Sequence, residues 1–95
     1  MAITWFTEGL YLSNRAYLSK SHAAVYRAVQ EGLNTRLALI KQGGFKYEDV
    51  VRVTEELVRQ GIFSAERGPR QTLYGPPPLY FRALVLPMPV TSAPT

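Results

Sequence analysis

The feature that most constrains the fold is one amphipathic stretch that runs from Tyr47 to Gln60 and is followed by Gly61. At about 100° per residue the stretch separates into two sides, with Val53 at their boundary. The apolar side contains Tyr47, Val50, Val51, Leu57 and Val58. The opposite side contains Glu48, Asp49, Arg52, Glu55, Glu56 and Arg59. The pattern predicts a helix that packs its apolar side on a core and ends at the glycine.

Two shorter helices are predicted before this stretch. Ser21 is expected to be the N-cap of the first, and Gly32 is expected to end it. Asn34 or Thr35 is expected to cap the second, which stops at the glycines of 43–44. The apolar residues assigned to the second helix are Leu37, Ala38 and Ile40. The chain is therefore expected to place three helices in succession.

The pattern changes from helix to strand after Gly61. Residues 62–65 are expected to extend, 67–70 to form a turn and 71–74 to return as a second strand. Three prolines make 75–78 a stiff connector, because proline has no amide to donate to a sheet. Residues 79–86 alternate like a further strand, with one face formed by Leu79, Phe81, Ala83 and Val85.

Three helices followed by a β-hairpin, with Leu57, Gly61 and Ile62 at the junction, resemble the winged helix-turn-helix superfamily over residues 21–86. In that superfamily an apolar residue four before a glycine anchors the third helix, and an apolar residue after the glycine leads into the wing. Val50 and residues 37–38 match earlier core positions. The resemblance implies an α+β fold, with a three-helix core and a β-hairpin wing, that binds DNA. The sequence departs from the pattern in a longer turn at 43–46 and in Thr54, where an aliphatic residue is usual.

The chain is expected to have three parts: an aromatic N-terminal arm at 1–20, the winged-helix domain at 21–86 and a flexible tail at 87–95. The arm fits either a hairpin, pairing 3–6 with 10–13 around Glu8 and Gly9, or a helix. It is expected either to cover the core of its own chain or to exchange with a second subunit. A homodimer through this aromatic region is therefore one prediction.

Composition excludes several kinds of chemistry. The 95 residues contain no cysteine, one histidine and seven carboxylates, so we expect no disulfide, metal site, cofactor or enzymatic activity. His22 is expected to be a surface residue at a helix start rather than a general base. The start of the sequence does not resemble a signal peptide, and no apolar run approaches the length of a membrane span. These features predict a cytoplasmic protein that does not contact membranes.

A net charge of +4 mildly favours a polyanionic partner, and duplex DNA is the partner that the resemblance implies. The expected DNA-binding residues are Lys46, Tyr47, Arg52, Arg67 and Arg70. A further patch that follows the phosphate backbone is considered at Arg15, Lys20, Arg27, Arg36 and Lys41. The predicted function is transcriptional regulation, or regulation of replication or maintenance, mainly through phosphate contacts.

The outer side of the third helix argues against this function. Its four acids and two arginines make it negative, and pairs four residues apart, Glu48 with Arg52 and Glu55 with Arg59, are expected to neutralise it internally. The alternative is a winged-helix module that docks on a protein, such as a phage or mobile-element protein that binds a host machine. Glu55 and Glu56 are its expected contacts, and an aromatic and proline-rich surface is considered at 74–78, Tyr80, Arg82 and Leu84.

Overall fold

A computed structural model describes Trp5 and residues 8–68 and 78–88. This part of the chain is α+β, as predicted, and consists of three helices and two small antiparallel sheets. The helices are α1 (Lys20–Gln30), α2 (Arg36–Lys41) and α3 (Tyr47–Arg59). The strands are β1 (Leu10–Tyr11), β2 (Tyr17–Leu18), β3 (Phe63–Arg67) and β4 (Leu79–Ala83). No helix in the described ranges is long and apolar enough to cross a bilayer.

The described part of the N-terminal region forms a hairpin rather than a helix, but not the hairpin that the sequence predicts. β1 pairs with β2, with Leu10 opposite Leu18. The turn lies between them, where the Asn14 side chain accepts a hydrogen bond from the Ala16 amide at 3.0 Å and Arg15 adopts a φ of 71°. Asn14 tolerates such a turn well, which explains why the chain reverses here and not at residues 8–9. Of the predicted strand 3–6, only Trp5 is described.

The segment after β4 lies along the hairpin. The Ser13 amide donates to the Leu86 carbonyl and the Met88 amide donates to the Tyr11 carbonyl, both at 2.9 Å. Leu12, which is fully buried, forms an isolated antiparallel bridge with Pro87 between these two bonds. Residues 87 and 88, which the sequence assigned to the tail, thus make a third segment beside β1. Residues 89–95 lie outside the described chain.

Helix α1 begins earlier than predicted. Its N-cap is Ser19 rather than Ser21, and the Ser19 hydroxyl makes no bond to a backbone amide. The hydroxyl lies instead 3.0 Å from Nδ1 of His22, three residues later. The Ser19 hydroxyl therefore bonds to a side chain and not to the helix backbone.

Helix α2 begins as predicted from Thr35, whose hydroxyl accepts a hydrogen bond from the Ala38 amide at 3.1 Å. The choice of its apolar face is only partly right. Leu37 is 61% exposed, whereas Leu39, which the sequence analysis did not assign, is fully buried. The helix has only six residues, so its pattern of apolar residues is too short to identify the face that packs on the core.

Helix α3 is confirmed, but its buried stripe is narrower and rotated from the predicted one. Val50, Val53, Thr54 and Leu57 are fully buried, where α1, α2 and β3 pack on the helix. Tyr47 was predicted to face inward and is 66% exposed, because it is the first residue of the helix and lies beyond this packing. Gly61 follows with a φ of 77°, which ends the helix as expected.

Three packed aromatic rings join the β3–β4 hairpin, the predicted wing, to α1. Phe63 lies between Tyr26 and Phe81, with ring centroids 5.8 and 6.2 Å away. The Tyr26 hydroxyl donates to the Val85 carbonyl, and burial raises the pKa of this hydroxyl above its ordinary value. This hydrogen bond holds the segment just after β4 against α1. All three rings are buried, so these three side chains form the centre of the core between the helices and the β3–β4 hairpin.

The wing hairpin pairs β3 with β4, from Phe63 opposite Ala83 to Arg67 opposite Leu79. The predicted turn at 67–70 is misplaced, because Arg67 is still in the strand and the Gly68 amide donates to the Pro78 carbonyl at 3.0 Å. The predicted return strand 71–74 lies outside the described residues. The other edge of β4 contacts the segment before α2, because the Phe81 amide donates a hydrogen bond to the Asn34 carbonyl at 2.8 Å. This bond ties the wing directly to the start of α2.

Candidate nucleic-acid interface

The turn between α2 and α3 determines how the first predicted site residues are presented. Phe45 is buried, and its amide donates to the Leu39 carbonyl at 3.2 Å. Gly43 packs so tightly that an added Cβ would lie 2.7 Å from the Leu39 carbonyl oxygen, and Gly44 has a φ of 74°. These contacts hold the longer turn in a defined conformation that places Phe45 in the core. Immediately after this anchor, Lys46 and Tyr47 are both exposed.

Arg52 lies on the outer face of α3, one and a half turns after Tyr47. Its predicted partner was Glu48, but its guanidinium lies 3.4 Å from the Asp49 carboxylate. Both side chains are about half exposed, and an ion pair of this kind contributes little to stability. Arg52 therefore remains accessible to a ligand on this face.

Glu56 does not belong to the outer face to which the sequence assigned it. Its carboxylate accepts a hydrogen bond from Nε2 of His22 on α1, and its side chain is two-thirds buried. The hydrogen bond from His22 holds the pKa of Glu56 below its ordinary value, against the opposing effect of burial. The positive charges of His22, Arg52 and Arg59 act in the same direction as the hydrogen bond. Glu56 is thus a link between α1 and α3.

Replacing Glu56 by glutamine is expected to lower the urea midpoint of unfolding at about pH 6. Because the pKa of Glu56 is lowered by folding, its contribution is present above the ordinary carboxyl pKa and is lost as pH falls through the folded value. The difference between wild type and variant should therefore shrink as the pH is lowered to about 3. The matched control is Glu55→Gln, whose exposed carboxylate lies 3.9 Å from Arg36. A Glu56→Gln effect that does not depend on pH would contradict the ionic link.

Arg36 joins three elements rather than facing solvent. Its Nε donates to the Thr54 hydroxyl at 3.3 Å, and its guanidinium lies over the Phe81 ring, 5.7 Å from the centroid. Thr54 itself donates to the Val50 carbonyl at 2.6 Å, which explains how a hydroxyl is accommodated at this buried core position.

A surface groove of about 290 Å³ runs between the C-terminal half of α3 and the wing. It is lined by Arg36, Glu55, Val58, Arg59, Ala65, Leu79 and Phe81. The predicted pair of Glu55 with Arg59 is not among the ion pairs of the described residues; Glu55 lies nearer Arg36. Charges of both signs therefore meet in the groove, and its walls are mainly apolar.

Arg67 is exposed at the far end of β3, opposite Leu79 in the last described pair of the ladder. The ring of Tyr80 covers Gly68, so that a Cβ added there would lie 2.8 Å from the ring. This contact holds Gly68 in place directly after Arg67. Arg70, the other predicted wing residue, lies outside the described residues.

The four predicted site residues that the structure describes divide between two elements. Lys46 and Tyr47 are exposed at the start of α3, Arg52 is exposed further along its outer face, and Arg67 is exposed at the end of β3. The wider cationic patch is reduced, because Arg27 donates to the Glu8 carbonyl at 2.8 Å and to the Gly9 carbonyl at 3.3 Å. Arg27 therefore holds the N-terminal arm.

Sequence reasoning missed the contact network of Ser19, His22 and Glu56. The spacing of Ser19 and His22, three apart at a helix start, is a signal that would have found their contact. The contact of His22 with Glu56 spans 34 positions and has no local signal. Within the part of the chain that is described, no three histidine or acidic side chains come together to hold a metal ion.

Comparisons of the chain with models of known protein families, with curated proteins and with solved structures find no match. Its function is therefore inferred from the geometry of its own residues.

Proposed function

We propose that the protein is a winged helix-turn-helix protein that binds duplex DNA, with α3 and the wing as its contact elements. The observation that carries the proposal is the connection of these elements. The α2–α3 pair leads through Gly61 into the β3–β4 hairpin, and the hairpin bonds back to Asn34, just before α2. A helix-turn-helix and a wing held in one unit by these contacts present a helix and a loop to a ligand together.

The outer face of α3 is less negative in the folded chain than a charge count along the sequence indicates, and this supports DNA binding. Glu56 faces His22 and leaves the outer face, and Arg36 comes within 3.9 Å of Glu55. The charged groups that remain on and beside this face are three acids, Glu48, Asp49 and Glu55, and three arginines, Arg36, Arg52 and Arg59. The outer face of α3 itself therefore carries −1 instead of the −2 of the sequence count, with Arg36 beside it, which weakens the main electrostatic objection to a polyanion.

The residues that we assign to DNA contact are Lys46, Tyr47, Arg52, Arg67 and Arg70. Lys46 places a cation at the start of α3, the end of the helix that also carries partial positive charge, and Arg52 adds a second cation further along the outer face. The exposed ring and hydroxyl of Tyr47 are suited to a sugar–phosphate contact. Arg67 and Arg70 flank Gly68 and Pro69 in the sequence, and both are suited to phosphate or minor-groove contact. The contacts are mainly to phosphates, which gives modest sequence preference, and the biological role we propose is regulation of transcription, replication or maintenance.

The protein-docking alternative depended on Glu55 and Glu56. Glu56 is engaged by His22 and two-thirds buried, so it is not a free charge for a partner, whereas Glu55 is more than half exposed with Arg36 at 3.9 Å. This leaves the alternative less supported than DNA binding, and it becomes an outcome of the test below.

The test is a salt titration of binding to a fluorescent duplex, followed by anisotropy. Four cationic contacts predict that the logarithm of the affinity falls with the logarithm of salt concentration with a slope of about −3 to −4. Lys46→Gln should reduce the slope by about one. The control is Arg15→Asn, which removes an exposed cation from the N-terminal hairpin and places asparagine at a positive φ that it tolerates. No binding at about 50 mM salt, or equal effects of both variants, would overturn the proposal and favour a protein partner.

A further inference from the structure

The N-terminal hairpin and the segment beside it form a ribbon that is apolar on both faces. Leu12 and Leu18 are buried on its inner face. The bridge of Leu12 with Pro87 and the bonds around it set Met88 opposite Tyr11 and Leu86 opposite Ser13. Tyr17 is opposite Tyr11 on the other side. A row of large side chains therefore crosses all three segments on the outer face.

We name this outer surface the ribbon face and define it by four side chains, Tyr11, Tyr17, Leu86 and Met88. Their exposed fractions are 57%, 57%, 65% and 42%. The rings of Tyr11 and Tyr17 contact each other, with centroids 4.7 Å apart. A small antiparallel sheet with one face on a core normally turns polar residues to water, so an apolar outer face indicates a surface that is covered in use.

We propose that a second copy of this chain covers the ribbon face, so that the protein is a two-fold symmetric dimer. The four residues carry no charge, and a two-fold contact brings each side chain near its own copy. A charged face would repel itself in that geometry, whereas tyrosine, leucine and methionine pack against their copies without penalty. The basic chain as a whole has a net charge of +4, so this uncharged face is a part of its surface where two copies meet without bringing like charges together.

The size of the ribbon face fits this partner. At the exposures given, four residues of this size offer on the order of 500 Å² per chain, close to the 600 Å² per partner at the lower end of stable interfaces. Ser13 and Asn14 are exposed beside the face and supply a polar rim. An interface of this size predicts a dimer that dissociates in the micromolar range, about 1–100 μM.

The test is sedimentation velocity of the full chain from about 1 to 500 μM, compared with two variants that make the same change at matched exposure. Leu86→Lys places two like charges across the proposed contact and should raise the dimer dissociation constant at least about tenfold. Leu37→Lys, at a leucine that is 61% exposed on α2, should leave it unchanged. A wild type that stays monomeric throughout, or a dimer weakened by Leu37→Lys and not by Leu86→Lys, would overturn the proposal.

A second measurement needs no variant and so does not depend on whether Leu86→Lys folds. In amide NMR spectra of the wild type over a dilution series, concentration-dependent shifts should be confined to residues 10–18 and 84–88. Concentration-dependent shifts in α3 or the wing instead would place the contact elsewhere and contradict the ribbon face. The inference does not rest on DNA binding, and failure of duplex binding would leave it intact.

Discussion

Replacing Arg67 and Arg70 together by alanine is expected to weaken duplex binding about ten- to a hundredfold near 100 mM salt and to flatten the salt dependence by about two. Arg67 is in the last described pair of the β3–β4 ladder, opposite Leu79, and Arg70 follows it by three positions in the sequence. Each is expected to neutralise one phosphate and release the counterion held there. The loss should be similar for unrelated duplex sequences, because phosphate contacts do not read bases. Anisotropy titrations at several salt concentrations measure both quantities.

The control for this prediction is a second double variant with the same change in net charge. Arg15→Asn with Lys20→Ala also removes two exposed cations, one from the N-terminal hairpin and one from the start of α1. This control should weaken binding severalfold less than the loss of Arg67 and Arg70 does. It should leave most of the slope of the logarithm of affinity against the logarithm of salt concentration unchanged. Equal losses in the two double variants would show that overall charge, and not the wing, governs binding.

Phe63→Ala is expected to be the most destabilising of the substitutions considered, by about 3–5 kcal/mol of unfolding free energy. The ring is 1% exposed and lies between the rings of Tyr26 and Phe81. Its removal leaves a cavity where α1 meets the wing, in a domain whose total stability is about 5–15 kcal/mol. Denaturant unfolding followed by circular dichroism measures the loss.

Two further variants sharpen this measurement. Phe63→Leu keeps most of the apolar volume and should cost roughly 1–2 kcal/mol. Tyr47→Ala removes an exposed ring of similar size from the start of α3 and should change stability by less than about 0.5 kcal/mol. A loss below about 1 kcal/mol for Phe63→Ala would contradict the packing of the wing on α1 through this ring.

The parts of the fold that sequence predicted well are those with a local cause. Helix α3 follows from a spacing of apolar residues over thirteen positions, and Gly61 ends it because it adopts a positive φ. Thr35 caps α2 through its own hydroxyl, which accepts a hydrogen bond from the amide of Ala38, three residues later. Each of these features is decided within a few residues, which is the range over which a sequence pattern carries information.

The errors have a different physical origin. A helical projection gives the direction of Tyr47 around α3 but not its position along the axis, so it missed that the first turn extends beyond the packed core. Residues 68–78 separate β3 from β4 in the sequence, and the strand pattern alone did not identify β4 rather than 71–74 as the partner of β3. The bond from Phe81 to Asn34 spans 47 positions and joins two segments that have no shared local signal.

The candidate site shows the same division. Lys46, Tyr47 and Arg52 were assigned to one end of one helix, and the folded chain exposes all three there. The acidic character of the outer face was misjudged because Glu56 turns to His22 on another helix. A charge count on an isolated helix omits the groups that neighbouring elements bring to it, and here those groups, His22 and Arg36, are both basic in type.

The most direct test of DNA binding by α3 and the wing is an amide NMR titration of the labelled protein with a short duplex. Binding through these elements predicts that the largest shifts fall at residues 46–52 and at Arg67 and Gly68, while the hairpin at 10–18 changes little. The absence of any shift on addition of duplex, or shifts concentrated at 10–18 and 84–88, would contradict it.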